Sequence, residues 1–119
     1  GVRDYIHVVD LAEGHVSAMQ YIQKPKEEGP DRYNVFNLGT GSGVSVLEMI
    51  AGMEVASGRK IKTVIAPRRT GDIAECFANP SKAEKELGWK ATKTLQDMCN
   101  DLWKWQSTNP NGYGDASSD

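Results

Sequence analysis

Apolar residues recur at helical spacing in three long stretches of the chain. Leu11, Ala12, Val16, Ala18, Met19 and Ile22, with His15 among them, predict a helix from Asp10 to about Lys24. Asp10 offers its N-cap, Glu13 the reciprocal half of a capping box, and Pro25 forbids continuation. Val46, Leu47, Met49, Ile50, Met53, Val55 and Ala56 predict a second helix, opened by Ser45 with Glu48 and closed by Gly58 in the left-handed position. Leu95, Met98, Cys99, Leu102, Trp103 and Trp105 form the stripe of a third, capped by Thr94 with Asp97. A shorter helix is predicted before it, with Asn79 as N-cap, Pro80 at the first helical position and Gly88 at its end. Trp89 follows as a packing anchor. Runs rich in β-formers, Asp4–Val9, Tyr33–Leu38 and Ile61–Ala66, predict strands between the helices. The pattern is that of a small mixed α/β domain.

Charge and length narrow the classes of partner. The 119 residues make one domain or a piece of one, and the first residues lack a starting methionine, as in the middle of a longer protein. Sixteen acidic against fourteen basic side chains give a net charge of -2, with no basic block, which argues against nucleic acid. No apolar run approaches the roughly 20 residues of a membrane span, and no signal-peptide pattern opens the chain. Cys76 and Cys99 have no metal-ligand spacing and suit a reducing, cytoplasmic setting. Lys26–Arg32 reads as an exposed linker and residues 115–119 as a disordered tail, which leaves 1–114 as the domain.

Two loops carry candidate chemistry. Gly39-Thr40-Gly41-Ser42-Gly43 lies between a predicted strand and a helix, where a dinucleotide fingerprint would sit. The spacing fails: counted from Gly39 the last glycine place is Val44, and counted from Gly41 it is Val46. The loop is therefore expected to be a sharp turn whose backbone can approach a neighbour. The second loop, Ala66-Pro67-Arg68-Arg69-Thr70-Gly71-Asp72, presents two guanidinium groups and a carboxylate beside a glycine turn. Arginine forks suit phosphate oxygens and a carboxylate suits ribose hydroxyls. A solvated charged turn is the alternative. His7 and His15 have no nucleophile motif beside them and read as structural.

Several of these segments resemble the extended short-chain dehydrogenases, and among them the UDP-galactose 4-epimerases (also called UDP-glucose 4-epimerases). The similar segments are Gly1–Val8, Tyr33–Gly41 with Ser45-Val46-Leu47, Ala66–Asp72, Leu87-Gly88-Trp89 and the ending Trp103-Lys104-Trp105-Gln106 with Asn109-Pro110 and Gly112-Tyr113. The resemblance implies the C-terminal substrate-binding domain of such an enzyme, with the Rossmann domain absent from this chain. That family's Tyr-x-x-x-Lys pair is absent too, since Tyr5, Tyr21 and Tyr33 are followed four positions on by Val9, Pro25 and Asn37.

By the same resemblance, Arg3 and Arg69 would clamp the diphosphate of a UDP-hexose, and Asp72 would accept from the ribose hydroxyls. Tyr5 would lie beside the nucleotide and Val46 would pack against the uracil. Cys76 would line the hexose pocket, leaving room for UDP-N-acetylhexosamines besides UDP-galactose and UDP-glucose. The intact enzyme would hold NAD, which this chain alone would not bind. It would epimerise C4 of the sugar in galactose metabolism, and it would be a homodimer; the isolated chain would be inactive. The alternatives are the substrate domain of another nucleotide-sugar dehydratase or decarboxylase, and a non-catalytic interaction module.

Overall fold

The computed structural model describes residues 1–25 and 33–114. Among them, three two-residue strands form one small sheet: β1 (Val2–Arg3), β2 (Val44–Ser45) and β3 (Glu75–Cys76). β1 is central, antiparallel to β2 and parallel to β3. Three α-helices accompany it, α1 (Val8–Ile22), α2 (Val46–Ser57) and α3 (Leu95–Thr108), with a wider π-type turn over Ala83–Leu87; α2 follows β2 and packs on α3, and α1 packs on the π-type turn. The architecture is a small mixed α/β one, as the apolar pattern predicts. The linker Lys26–Arg32 and the tail 115–119 lie outside the described residues.

Local cap chemistry is obeyed where the polar partners lie within one turn. Ser45 Oγ accepts from the Glu48 amide at 3.1 Å while Glu48 Oε2 accepts from the Ser45 amide at 2.7 Å. Thr94 and Asp97 repeat this reciprocal pair at the start of α3. Gly58 ends α2 with φ 66°, the left-handed conformation that a side chain resists.

The first helix starts differently from the prediction. His7, not Asp10, is its N-cap: Nδ1 accepts from the Val9 amide at 3.0 Å, and Nε2 meets Asp101 Oδ2 on α3 at 2.7 Å. Since Nδ1 is the acceptor, Nε2 donates. Asp10 sits in the first turn, wholly buried, and its Oδ2 accepts from the amides of Thr92 and Lys93 at 3.1 and 2.9 Å. A contact from the far end of the chain thus draws Asp10 inward and leaves the cap to His7. α1 also ends at Ile22, with Gln23 as its cap, just short of the predicted Lys24.

The three predicted strands are corrected as well. Asp4–Val9 is not a strand, because β1 stops at Arg3 and α1 begins at Val8. Tyr33–Leu38 and Ile61–Ala66 form no ladder among the described residues, and Val64 and Ile65 are fully exposed. Extended segments become strands only when a neighbour takes their backbone groups.

The core is thin. Ala83, Trp89 and Cys99 are its buried hydrophobic members. Trp89 anchors it as predicted, its indole N–H donating to the Asp10 carbonyl at 2.9 Å. Gly14 lets α1 approach this ring and Leu38, since a Cβ there would lie 3.3 Å from Trp89 Cε2 and 2.8 Å from Leu38 Cδ1. Gly52 does the same for α2 and α3, where a Cβ would lie 3.0 Å from Cys99 Sγ. The radius of gyration is 18.4 Å, against about 13–14 Å for a compact chain of this length. Large apolar faces therefore stay open: Val16, Met19, Leu47, Val55 and Leu102 are all exposed. Among the described residues, no helix is long and apolar enough to cross a membrane.

Candidate functional site

The small sheet gathers the candidate residues. In the parallel pair β1–β3, Arg3 stands opposite Cys76, and in the antiparallel pair β1–β2 it stands opposite Val44. Arg3 and Cys76 line an open hollow of about 450 Å³ together with Asp4, Asn37, Ala78 and Asn79. Its walls are three chain segments: the end of β1, the approach to the glycine loop, and the exit from β3.

One carboxylate ties those segments together. Asp4 Oδ1 accepts from the Thr40 amide at 3.0 Å and from its hydroxyl at 2.6 Å. Oδ2 accepts from the amides of Gly41 at 3.0 Å and Ala78 at 3.2 Å. Partial burial pushes the Asp4 pKa up, but these hydrogen bonds outweigh it and hold the carboxyl below the usual aspartate value. The stabilisation they give is full above the ordinary aspartate range and is lost as pH falls through the lowered value. The glycine loop is therefore a turn, as its failed spacing implies, with the amides of Thr40 and Gly41 spent on Asp4 and that of Ser42 on the Thr40 hydroxyl.

The arginine loop stands upstream of β3. Its Asp72 amide donates to the Arg69 carbonyl at 3.3 Å across Gly71, which has φ 85°, as a turn with glycine at its third position requires. Arg69 Nε donates to Asp72 Oδ2 at 3.0 Å, with the arginine side chain 84% exposed. The guanidinium and carboxylate that the sequence singles out are therefore already oriented against each other. Neither lines the hollow.

The remaining candidates are placed apart. Val46 is the first residue of α2 and directly continues β2, its amide donating to the Gly1 carbonyl at 3.3 Å. Tyr5 lines a separate apolar groove of about 420 Å³, with Met49, Met98 and Trp105 from α2 and α3. Cys76 is exposed, whereas burial pushes the Cys99 thiol pKa up and leaves it unreactive. His15 stays local, Nδ1 meeting the Leu11 carbonyl at 2.8 Å. Of the residues lining the hollow, the family resemblance names Arg3 and Cys76; it does not mark Asp4, Asn37, Phe77, Ala78 and Asn79 as site residues. The one signal for Asp4 is an acidic residue in a run of β-formers, where such residues are depleted.

Comparison with known proteins gives this geometry its context. The family model described as GDP-mannose 4,6 dehydratase matches residues 1–102. The chain is 58% identical over 116 residues to the UDP-glucose 4-epimerase of Dictyostelium discoideum, covering 98% of this chain and 33% of that relative. It is 56% identical over 116 residues to that of Bacillus subtilis (strain 168), with the same coverage. Among solved structures, the UDP-glucose 4-epimerase of Bifidobacterium longum in complex with NAD+ and UDP superposes with a TM-score of 0.85 at 56% identity, covering 95% of this chain and 32% of that one. The chain thus spans about a third of the length of the relatives it matches. It belongs to the GDP-mannose 4,6-dehydratase family of extended short-chain dehydrogenases and corresponds to a portion of its UDP-glucose 4-epimerases.

Proposed function

We propose that residues 1–114 form the nucleotide-sugar-binding domain of a UDP-glucose 4-epimerase working in the cytoplasm as a homodimer. The observation that carries this reading is the likeness, at a TM-score of 0.85, to an epimerase described with NAD+ and UDP. Arg3 and Arg69 bind the diphosphate, Asp72 the ribose, Val46 packs against the uracil, and Tyr5 lies beside the nucleotide. Cys76, beside Arg3 on the sheet, faces the hexose. An N-terminal Rossmann domain holds NAD, which supplies a reversible hydride acceptor for C4. The residues of this chain bind and orient.

Replacing the matching third of the Bacillus subtilis relative by this chain tests the proposal. The chimera is expected to interconvert UDP-galactose and UDP-glucose; a chimera that is folded and NAD-loaded but inactive would overturn it. A second reading, a nucleotide-sugar dehydratase, is favoured by the description of the matching family model. A dehydrated keto sugar among the products would establish it.

Two further results are expected. The purified chain alone shows no turnover of UDP-galactose with added NAD, since the Tyr-x-x-x-Lys pair is not in it. Turnover above background would refute the assignment of the chemistry to another domain. In the intact enzyme, Cys76→Tyr spares UDP-galactose turnover and abolishes turnover of UDP-N-acetylhexosamines, because a phenol fills space that only the acetamido group needs. Equal losses on both substrates, or none on either, would remove Cys76 from the specificity argument.

A further inference from the structure

The three segments that wall the hollow share no continuous secondary structure, yet each is bonded to the same side chain. Arg3 precedes Asp4 directly. Thr40 and Gly41, three and four residues beyond the lining residue Asn37, aim three donor groups at the Asp4 carboxylate. Ala78, two residues beyond Cys76, adds a fourth at 3.2 Å. Strands of two residues offer few ladder bonds of their own, so the carboxylate adds much of what holds the walls at a fixed separation.

The backbone has been cleared to let this happen. A Cβ at Gly39 would lie 2.6 Å from Asp4 Oδ2 and 2.7 Å from Ala78 Cβ, closer than real side chains come. The glycine is thus required by close approach. Thr40 Oγ1 also accepts from the Ser42 amide at 3.1 Å, which braces the loop behind the carboxylate.

We infer that Asp4 is a positioning residue for nucleotide-sugar binding: by tying Thr40, Gly41 and Ala78 to the end of β1, it sets Arg3 and Cys76 at the spacing the ligand needs. The inference rests on the proposed function, since it assigns the hollow to that ligand. Asparagine cannot replace the carboxylate, because all four hydrogen-bond donors point at the side chain and the amide NH2 is itself a donor. Glutamate keeps the charge but carries it one methylene beyond the point on which these donors converge.

The test measures KM, kcat, UDP affinity and NAD content of the intact enzyme for Asp4→Asn and Asp4→Glu, with Arg3→Ala and Arg69→Ala as controls. Asp4→Asn is expected to raise KM for UDP-galactose and weaken UDP binding about tenfold, because the ligand must then order a side chain that the parent fold holds in place. kcat and NAD content are expected to change little. Thr40→Val, which removes the hydroxyl that donates to Asp4 and accepts from the Ser42 amide but keeps the Thr40 amide donor, should show a smaller shift of the same kind, and Thr40→Ser should restore the parent values. Should Asp4→Asn not fold, the Thr40 pair decides the matter. Unchanged KM and UDP affinity in the Asp4 or Thr40 variants, while the arginine controls lose binding, would overturn this inference alone. Normal binding in the arginine controls would instead overturn the proposed site itself.

Discussion

Asp10→Ala is expected to destabilise the fold by about 2–4 kcal/mol, the combined effect of stranding amide donors and leaving a small void. The wild-type side chain is fully buried, and its two oxygens accept from the Thr92 and Lys93 amides and, at 3.3 Å, from the Thr92 hydroxyl. These bonds fasten the segment between Trp89 and α3 onto the first turn of α1. Without them, Trp89 still donates to the Asp10 carbonyl, which the substitution leaves in place. The packing anchor therefore persists while the chain leading to α3 loosens. Asp10→Asn should recover part of the loss, since one oxygen remains to accept. Urea unfolding of the variants gives the difference directly; an alanine variant within about 0.5 kcal/mol of the parent, the usual range of surface changes, would show that water replaces the carboxyl group fully.

Arg69→Ala has the opposite profile. In the fold its ion pair with Asp72 is exposed, and such pairs contribute about 0–1 kcal/mol, so stability should scarcely change. In the intact enzyme the same substitution is expected to weaken UDP-hexose binding by about 2–4 kcal/mol, because the diphosphate loses one side of a charge-assisted pair that binding has desolvated. Arg69→Lys should recover only part, since an ammonium group cannot form the planar fork. Calorimetric titration with UDP, paired with thermal unfolding, separates the two effects. Undiminished UDP affinity in the alanine variant would remove Arg69 from the clamp.

The elements legible in the sequence are those whose signals lie within one helical turn. Ser45 with Glu48, Thr94 with Asp97, and Gly58 each declare a helix boundary through partners three residues away or through backbone conformation alone. The misread elements depend on distant partners. Asp10 carries every local mark of an N-cap, but its oxygens are taken by amides 82 and 83 positions later. The run from Asp4 to Val9 has strand composition, yet Asp4 binds amides 36 to 74 positions away, and the strand ends before it. Tyr33–Leu38 and Ile61–Ala66 have the composition of strands without a ladder partner among the described residues. For the site, residue chemistry pointed to the arginine loop. The adjacency of Arg3 and Cys76 follows from strand register, which no local pattern encodes.

The unladdered segment Ile61–Ala66 has a practical consequence for anyone handling this chain by itself. Six residues with three β-branched apolar side chains, one threonine and a single charge at Lys62 match the composition of an aggregation-prone window. Val64 and Ile65 project fully into solvent, so the chain's own packing gains nothing from them. Lysine or threonine at those two positions would raise solubility at no cost to the lone fold, and would make the protein tractable for spectroscopy at high concentration.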